Sequence, residues 1–246
     1  MNILVCISKV PDTTSKISFT DGDTKFNSQG VTWIVNPSDE WYALVRALEI
    51  KESLGTGNVT IVTVGTAEDD AIIRKALAVG ADNAVRINFD PADSYSVAAA
   101  IADYAKTQNF DLILTGKETI DHNNSEVGGM IAELMGYEFI NPANKLDING
   151  RTARVESETG GATYVYEVEL PVVLSAAKGM AEQRIPNMKG IMAARTKPIT
   201  VVEAAGQSKI KVVKFELPAA KAGVKMIAPE NTDELVKLLH TEAKVI

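Results

Sequence analysis

The chain has 246 residues, 46% of them hydrophobic and 23% charged, with a net charge of −7. This balance suits an α/β domain with a core of its own, and acidity without a basic stripe excludes a nucleic-acid binder, because phosphate contacts need clustered Lys and Arg. The single cysteine, Cys6, excludes an intrachain disulfide and points to a reducing, cytoplasmic setting; no basic-then-apolar leader and no apolar run of about 18 residues suggest export or a membrane span.

Residues 2–8 (NILVCIS) are continuously apolar, as expected of a parallel strand buried on both faces. Residues 9–32 are rich in Asp, Thr, Ser and Gly and read as a long loop or irregular hairpin. Trp33-Ile34-Val35 is a short strand. A helix then starts at Pro37 or Ser38 and runs to about Ser53, with Trp41, Leu44, Val45 and Leu48 on one face. Regular alternation follows: strand 59–64, helix 67–79 closing on Gly80, strand 84–87, helix 94–107, strand 111–115 and helix 123–135 ending at Gly136. Short connections in this order predict right-handed crossovers and a parallel sheet.

Residues 151–156 and 162–169 alternate polar and apolar around Gly160-Gly161, the pattern of an antiparallel hairpin. Strand 171–175 follows, then an extended stretch over 200–217 and a short amphipathic helix over 232–242 carrying Leu235, Leu238 and Leu239. The predicted fold is α/β: a doubly wound, mostly parallel sheet with one antiparallel hairpin and an extended C-terminal arm. Residues 1–195 would form the domain and 196–246 the arm. The arm has too few apolar residues for a core, so it packs back on its own domain or lies on another chain.

Open parallel sheets bind ligands beyond the carboxyl ends of their strands, where the strand order reverses. The loops after residues 8, 35, 64 and 115 are therefore the candidates. The last runs Gly116-Lys117-Glu118-Thr119-Ile120-Asp121-His122-Asn123-Asn124-Ser125-Glu126-Val127. Gly116 lets a ligand approach the backbone. Asn123, Asn124 and Ser125 are placed by the pattern at a helix start, where N–H groups either attract a phosphate or are merely capped. Asn36 and Ser38 add polar groups at another helix start, and Gly65-Thr66 a small-residue wall. Neither G-x-x-x-x-G-K-[ST] nor G-x-G-x-x-G occurs. The two histidines, His122 and His240, cannot build a multi-histidine metal site. Cys6 reads as a small core residue beside the pocket rather than a nucleophile. No catalytic constellation stands out, and a binding module whose chemistry belongs to a cofactor fits best.

The segment 181–199 (AEQRIPNMKGIMAARTKPI) mixes Pro, Gly, bases and two Met and does not read as core. It resembles the signature of the electron transfer flavoprotein beta subunit, a recognition loop followed by an Ile-Met-x-Ala-x-x-Lys-x-Ile helix. Val10-Pro11-Asp12, Asn36-Pro37, the stretch Ala76 to Asp82, Thr115-Gly116-Lys117 and Ile120-Asp121 fall in that family's order, so the resemblance spans essentially the whole chain.

The resemblance implies an adenine nucleotide hydrolase-like fold paired with an alpha subunit that holds FAD. AMP would bind this chain structurally, at Cys6, Asn36, Pro37, Ser38, Asp39, Val64 and the stretch Gly116 to Val127. Thr13 and Glu158 would approach the flavin, Glu158 being otherwise an exposed turn residue. The arm would wrap the alpha subunit. Glu182, Arg184, Ile185, Met188, Ile191 and Met192 would dock acyl-CoA or related dehydrogenases of fatty acid oxidation, with a membrane quinone oxidoreductase as acceptor. Bifurcating relatives carry a second FAD in the beta pocket and typically read Asp-Gly-Asp-Thr-Ala-Gln-Val-Gly where this chain reads Asp121-His122-Asn123-Asn124-Ser125-Glu126-Val127-Gly128. AMP is the favoured ligand, a second FAD the alternative. A stand-alone adenine-nucleotide protein of the stress type is the competing class, and it leaves residues 181–246 unexplained.

Overall fold

An apolar strand without alternation has two faces to bury, and β1 (Asn2–Cys6) buries both. Ile3 and Val5 enter one core, Leu4 and Cys6 the other. The structure is a computed structural model that describes residues 1–204, 208–221 and 223–246. After β1 come four short strands, β2 (Lys9–Pro11), β3 (Phe19–Thr20), β4 (Lys25–Phe26) and β5 (Trp33–Val35). The alternating part is α1 (Asp39–Leu54), β6 (Asn58–Gly65), α2 (Asp70–Val79), β7 (Asn83–Asn88), α3 (Ser94–Lys106), β8 (Leu112–Gly116) and α4 (Val127–Met135). Then follow β9 (Glu138–Ala143), β10 (Lys145–Asn149), β11 (Thr152–Thr159), β12 (Ala162–Glu169), β13 (Val172–Ala176), α5 (Met188–Thr196), β14 (Ile199–Glu203) and α6 (Thr232–Leu238).

The main sheet has seven strands in the order β14-β7-β6-β1-β8-β13-β9, every neighbouring pair parallel. Val5 stands between Ile61 on one side and Leu114 on the other. From β1 the chain first builds outward through β6 and β7, then crosses to the opposite side for β8. The order therefore reverses between β1 and β8, and their carboxyl ends flank the crevice. Leu44 and Leu48 of α1 and Ile73 and Leu77 of α2 cover one face; Ile101 of α3 and Ile131 of α4 cover the other. The doubly wound α/β reading is correct. Among the described residues no helix is long and apolar enough to cross a membrane.

The hairpin is also present. β11 and β12 pair antiparallel, and Gly160 (φ 60°) and Gly161 (φ 79°) take the left-handed angles that the tight turn requires. Sequence reading missed β10, which extends this pair to three strands, and β9, which edges the main sheet. The 9–32 segment is tied down by β2, which pairs with β5 through Val10 and Ile34, and by the small β3–β4 hairpin.

Two boundaries move. The helix expected over 123–135 begins at Val127, because Asn123 (φ 51°) and Ser125 (φ 52°) are left-handed and no α-helix runs through such residues. The segment expected to open the arm instead supplies β14, which runs along β7 from the Ile199–Ala84 pair to the Glu203–Asn88 pair. The chain thus leaves the sheet after Glu203, and within the extended stretch predicted over 200–217 residues 205–207 lie outside those described. Beyond them the chain is tethered at two places. The amides of Lys209 and Ile210 donate to the Asp93 carboxylate at 2.5 and 3.1 Å. Phe215 stacks on Phe19 at 5.0 Å and donates its N–H to the Asp23 carbonyl at 2.7 Å. Val213, Val224 and Met226 nevertheless remain 83%, 85% and 85% exposed. The terminal helix is shorter than expected, α6 passing into a π turn over Leu239–Ala243.

Candidate functional site

Asn36 does most to shape the crevice. It follows β5, is wholly buried, and reaches across to the loop after β8: its Nδ2 donates to the Glu118 carbonyl at 2.9 Å and its Oδ1 accepts the Ile120 N–H at 3.0 Å. Its side chain is thereby a clamp that fixes the loop's path, not a group offered to a ligand. Gly116 explains why the clamp can close. A Cβ there would lie 2.7 Å from Glu40 Cγ and 3.2 Å from Asp39 Cβ, so only glycine lets β8 pass the start of α1. Farther along, the Thr119 carbonyl accepts the Asn123 N–H at 2.9 Å, Ser125 Oγ donates to Glu118 at 2.9 Å, and Asn124 Nδ2 donates to Ser94 Oγ at 2.7 Å.

Backbone strain concentrates at this rim. Ser38 (φ 63°), Asn123 and Ser125 are three of the six non-glycine residues with positive φ among the described residues. Such conformations persist only where surrounding structure enforces them, and they cluster at ligand clamps. The corrected helix boundary moves the phosphate-type donors. They are the N–H groups of Val127, Gly128 and Gly129, ahead of Met130, whose N–H makes the first turn's bond to the Glu126 carbonyl at 3.0 Å. Asn123, Asn124 and Ser125 shape the approach instead of opening the helix.

The crevice is acidic, and Lys117 is engaged: its Nζ pairs with Glu118 at 3.1 Å. Hydrogen bonds from Ser125 and Lys117 hold the Glu118 carboxyl below its ordinary range, whereas burial pushes Asp39 up despite Lys117. Asp121, His122, Asn123 and Asn124 are exposed, and His122 Nε2 stands 3.9 Å from Asp121. Cys6 lies on the α3–α4 side with Val64; burial, reinforced by Glu40, drives its thiol far up and leaves it an inert core residue. Pro37 and Ser38 also line a cavity of ≈ 200 Å³ with Trp41, Lys75 and Gln183, on the side of the 181–195 loop.

Sequence reading missed Glu40 and Ser8. Glu40 is only 4% exposed, accepting the Ser8 N–H at 2.6 Å and Ser8 Oγ–H at 2.8 Å. Burial, with Asp121 and Asp39 adding, pushes its carboxyl up to about 8 despite those hydrogen bonds. In sequence it is an ordinary acid in a first helical turn, suited to the helix dipole. Only the return of Gly116 over it makes it a buried group.

The other predicted residues lie elsewhere. Thr13 is exposed beside Asp12, whose carboxylate is engaged by Thr14 at 2.6 and 2.9 Å. Glu158 is exposed on β11, two residues before the Gly160-Gly161 turn, with its N–H donating to Asn144 Oδ1 at 2.8 Å. In the 181–195 segment, Asn187 caps α5 through the Gly190 N–H at 2.8 Å, and Ala194 is buried. A Cβ at Gly190 would lie 2.3 Å from the Ala78 carbonyl, so α5 sits directly on α2. Ile185, Met188, Ile191 and Met192 are 83%, 72%, 37% and 56% exposed on the outer side, and Glu182 is exposed as well. Arg184 differs from these. Its guanidinium makes a two-pronged pair with Glu52 at 2.7 and 3.0 Å and its carbonyl accepts Trp41 Nε1–H at 3.2 Å, so it anchors the loop to α1.

Residues 23–206 match the electron transfer flavoprotein domain. The electron transfer flavoprotein subunit beta of Bacillus subtilis is 38% identical over the full length of both chains. That of Syntrophomonas wolfei is 39% identical over 92% of this chain and 90% of its own. The caffeyl-CoA reductase-Etf complex subunit CarD of Acetobacterium woodii is 30% identical over 99% of this chain and 98% of its own. With the parallel sheet and its crevice, these likenesses place the protein: the chain belongs to the electron transfer flavoprotein family, among its beta subunits.

Proposed function

We propose that this chain is one half of a heterodimeric electron carrier, binding AMP structurally in the crevice and joining an alpha subunit that holds most of an FAD. The observation that carries the nucleotide reading is the clamped loop: Asn36 fixes Glu118 and Ile120, and the strained Asn123 and Ser125 set the approach to α4. The residues fit a mononucleotide. Gly116 lets the loop after β8 pass close over the start of α1, and the N–H groups at the start of α4 suit a phosphate. Ser38, Asp39 and the loop 116–127 would hold AMP, with Asn36 fixing that loop from behind and Cys6 and Val64 as apolar backing.

FAD, when bound, supplies the one- and two-electron chemistry. This chain would contribute Thr13 and Glu158 from its side of the interface, both exposed and Glu158 on a rigid strand. The exposed apolar residues of the arm support a role in wrapping the alpha subunit. Ile185, Met188 and Met192 would dock acyl-CoA or related dehydrogenases, for relay to a quinone oxidoreductase; flexible, polarizable Met suits a surface that meets several partners. The likeness to a subunit of a caffeyl-CoA reductase complex favours a second reading, in which a second FAD fills the crevice. Co-expression with an alpha subunit tests the proposal. A complex with bound flavin is expected; a stable lone chain that binds ATP and captures no flavoprotein would overturn it.

A further inference from the structure

We propose that Ser8 is a nucleotide-contacting hydroxyl, and that a proton on Glu40 decides whether Ser8 has a hydrogen to give the ligand. The inference rests on the nucleotide reading above and adds to it a residue pair and a control. Ser8 lies two residues past β1, at the carboxyl edge where the strand order reverses, and is partly exposed. Glu40 lies beneath it, buried, and among the described residues its two carboxyl oxygens are engaged by Ser8 alone, through the N–H at 2.6 Å and Oγ at 2.8 Å. Among the described residues no Lys or Arg pairs with Glu40: Lys117 is committed to Glu118, and Lys9 to Asp69.

The groups that face Glu40 are acidic. Asp39 adjoins it on α1, Asp121 bears on it from the loop after β8, and Cys6 lies near on β1. Gly116 packs against its side chain. A carboxyl in this setting keeps its proton through neutral pH, titrating at about 8.

A serine hydroxyl has one hydrogen to donate. When Glu40 is ionised, Oε1 accepts that hydrogen and Ser8 has none for a ligand. When Glu40 is protonated, Oε1–H donates to Ser8 Oγ, and the Ser8 hydrogen is released toward the crevice. The ligand group it fits is an oxygen acceptor, a ribose hydroxyl or a phosphate oxygen. Raising the pH through Glu40's titration withdraws the donor and adds a negative charge under the crevice, and both effects weaken a nucleotide anion.

The test measures AMP affinity of the purified heterodimer by equilibrium dialysis between pH 6.5 and 9.5, with FAD absorbance confirming assembly and FAD dialysed in a parallel arm. For the parent, affinity should fall about tenfold across this range, the scale of one hydrogen bond. Glu40→Gln should keep the low-pH affinity throughout, because its Oε1 accepts the Ser8 N–H and its Nε2 donates to Ser8 Oγ as the acid proton does. Ser8→Ala should bind about tenfold more weakly at pH 6.5, with a shallower pH profile than the parent because only the charge on Glu40 still acts. A Glu40→Gln profile that follows the parent's, or a Ser8→Ala affinity equal to the parent's, overturns the proposal while leaving the nucleotide site intact. A parent heterodimer that binds neither AMP nor FAD in the crevice at any pH overturns the nucleotide reading and this proposal together.

Discussion

The crevice and the arm sit on one chain but handle their side chains in opposite ways. At the crevice the polar groups find partners within the chain: Asn36 with Glu118 and Ile120, Glu40 with Ser8, Ser125 with Glu118. Along the arm, apolar side chains such as Val224 and Met226 stay 85% exposed, although backbone and aromatic contacts tether the segment to Asp93 and Phe19. Burying one such side chain is worth about 1.5–3 kcal/mol. On the function proposed above, the arm would bury these side chains against the alpha subunit, whereas the crevice completes its polar contacts by folding.

The largest effect should come from removing the arm. Truncation after Glu203 keeps β14 in the sheet and should abolish co-purification with the alpha subunit, while the chain alone still melts cooperatively. Loss of the cooperative melt would show that the arm belongs to the fold and would break the contrast.

Next comes the clamp. Asn36→Ala leaves the Glu118 carbonyl and the Ile120 N–H without their partners and should cost about 2–4 kcal/mol in urea unfolding. A loss under about 0.5 kcal/mol would mean the loop holds its path without Asn36.

A pH-dependent effect belongs to Glu40. Its carboxyl titrates ordinarily at 4.5 and in the fold at about 8, so between those values the folded chain holds a proton the unfolded chain has released. The stability this group lends is complete below pH 4.5 and is lost as pH rises through about 8, at about 1.4 kcal/mol per pH unit. Glu40→Gln lacks this slope. Its melting temperature should match the parent's near pH 5 and exceed it near pH 9, and parallel curves would contradict the assignment.

The smallest effect on stability is expected at the exposed face proposed for docking. Met188→Ala, 72% exposed in the parent, should change stability by less than about 0.5 kcal/mol. It should nonetheless slow reduction of the heterodimer by an acyl-CoA dehydrogenase at unchanged flavin content, read by stopped-flow absorbance. Loss of flavin would instead make Met188 a structural residue.

What could be read in advance follows from how each residue earns its place. Unbroken apolar runs such as NILVC and VTIVTV announce central parallel strands, because both faces are buried, and Gly160-Gly161 announces a turn only glycine makes easily. Edge strands lack that mark: β9 and β14 each mix buried or half-buried positions with exposed ones and borrow their pairing from a neighbour. The start of α4 was misplaced because Asn and Ser are good caps in sequence, and their left-handed angles here are imposed by the loop. Glu40 was overlooked, and the anchoring of Arg184 to α1 was not foreseen. Both are charged residues whose partners, Ser8 and Glu52, lie 32 and 132 residues away. Such pairing is a product of the fold and leaves no local pattern.

The most direct test of the account is to denature the purified heterodimer and identify the released small molecules by mass and amount. The account predicts one AMP and one FAD per heterodimer. Two FAD and no AMP would contradict the AMP assignment and give the crevice to a second flavin, and one FAD with no other nucleotide would contradict the crevice itself.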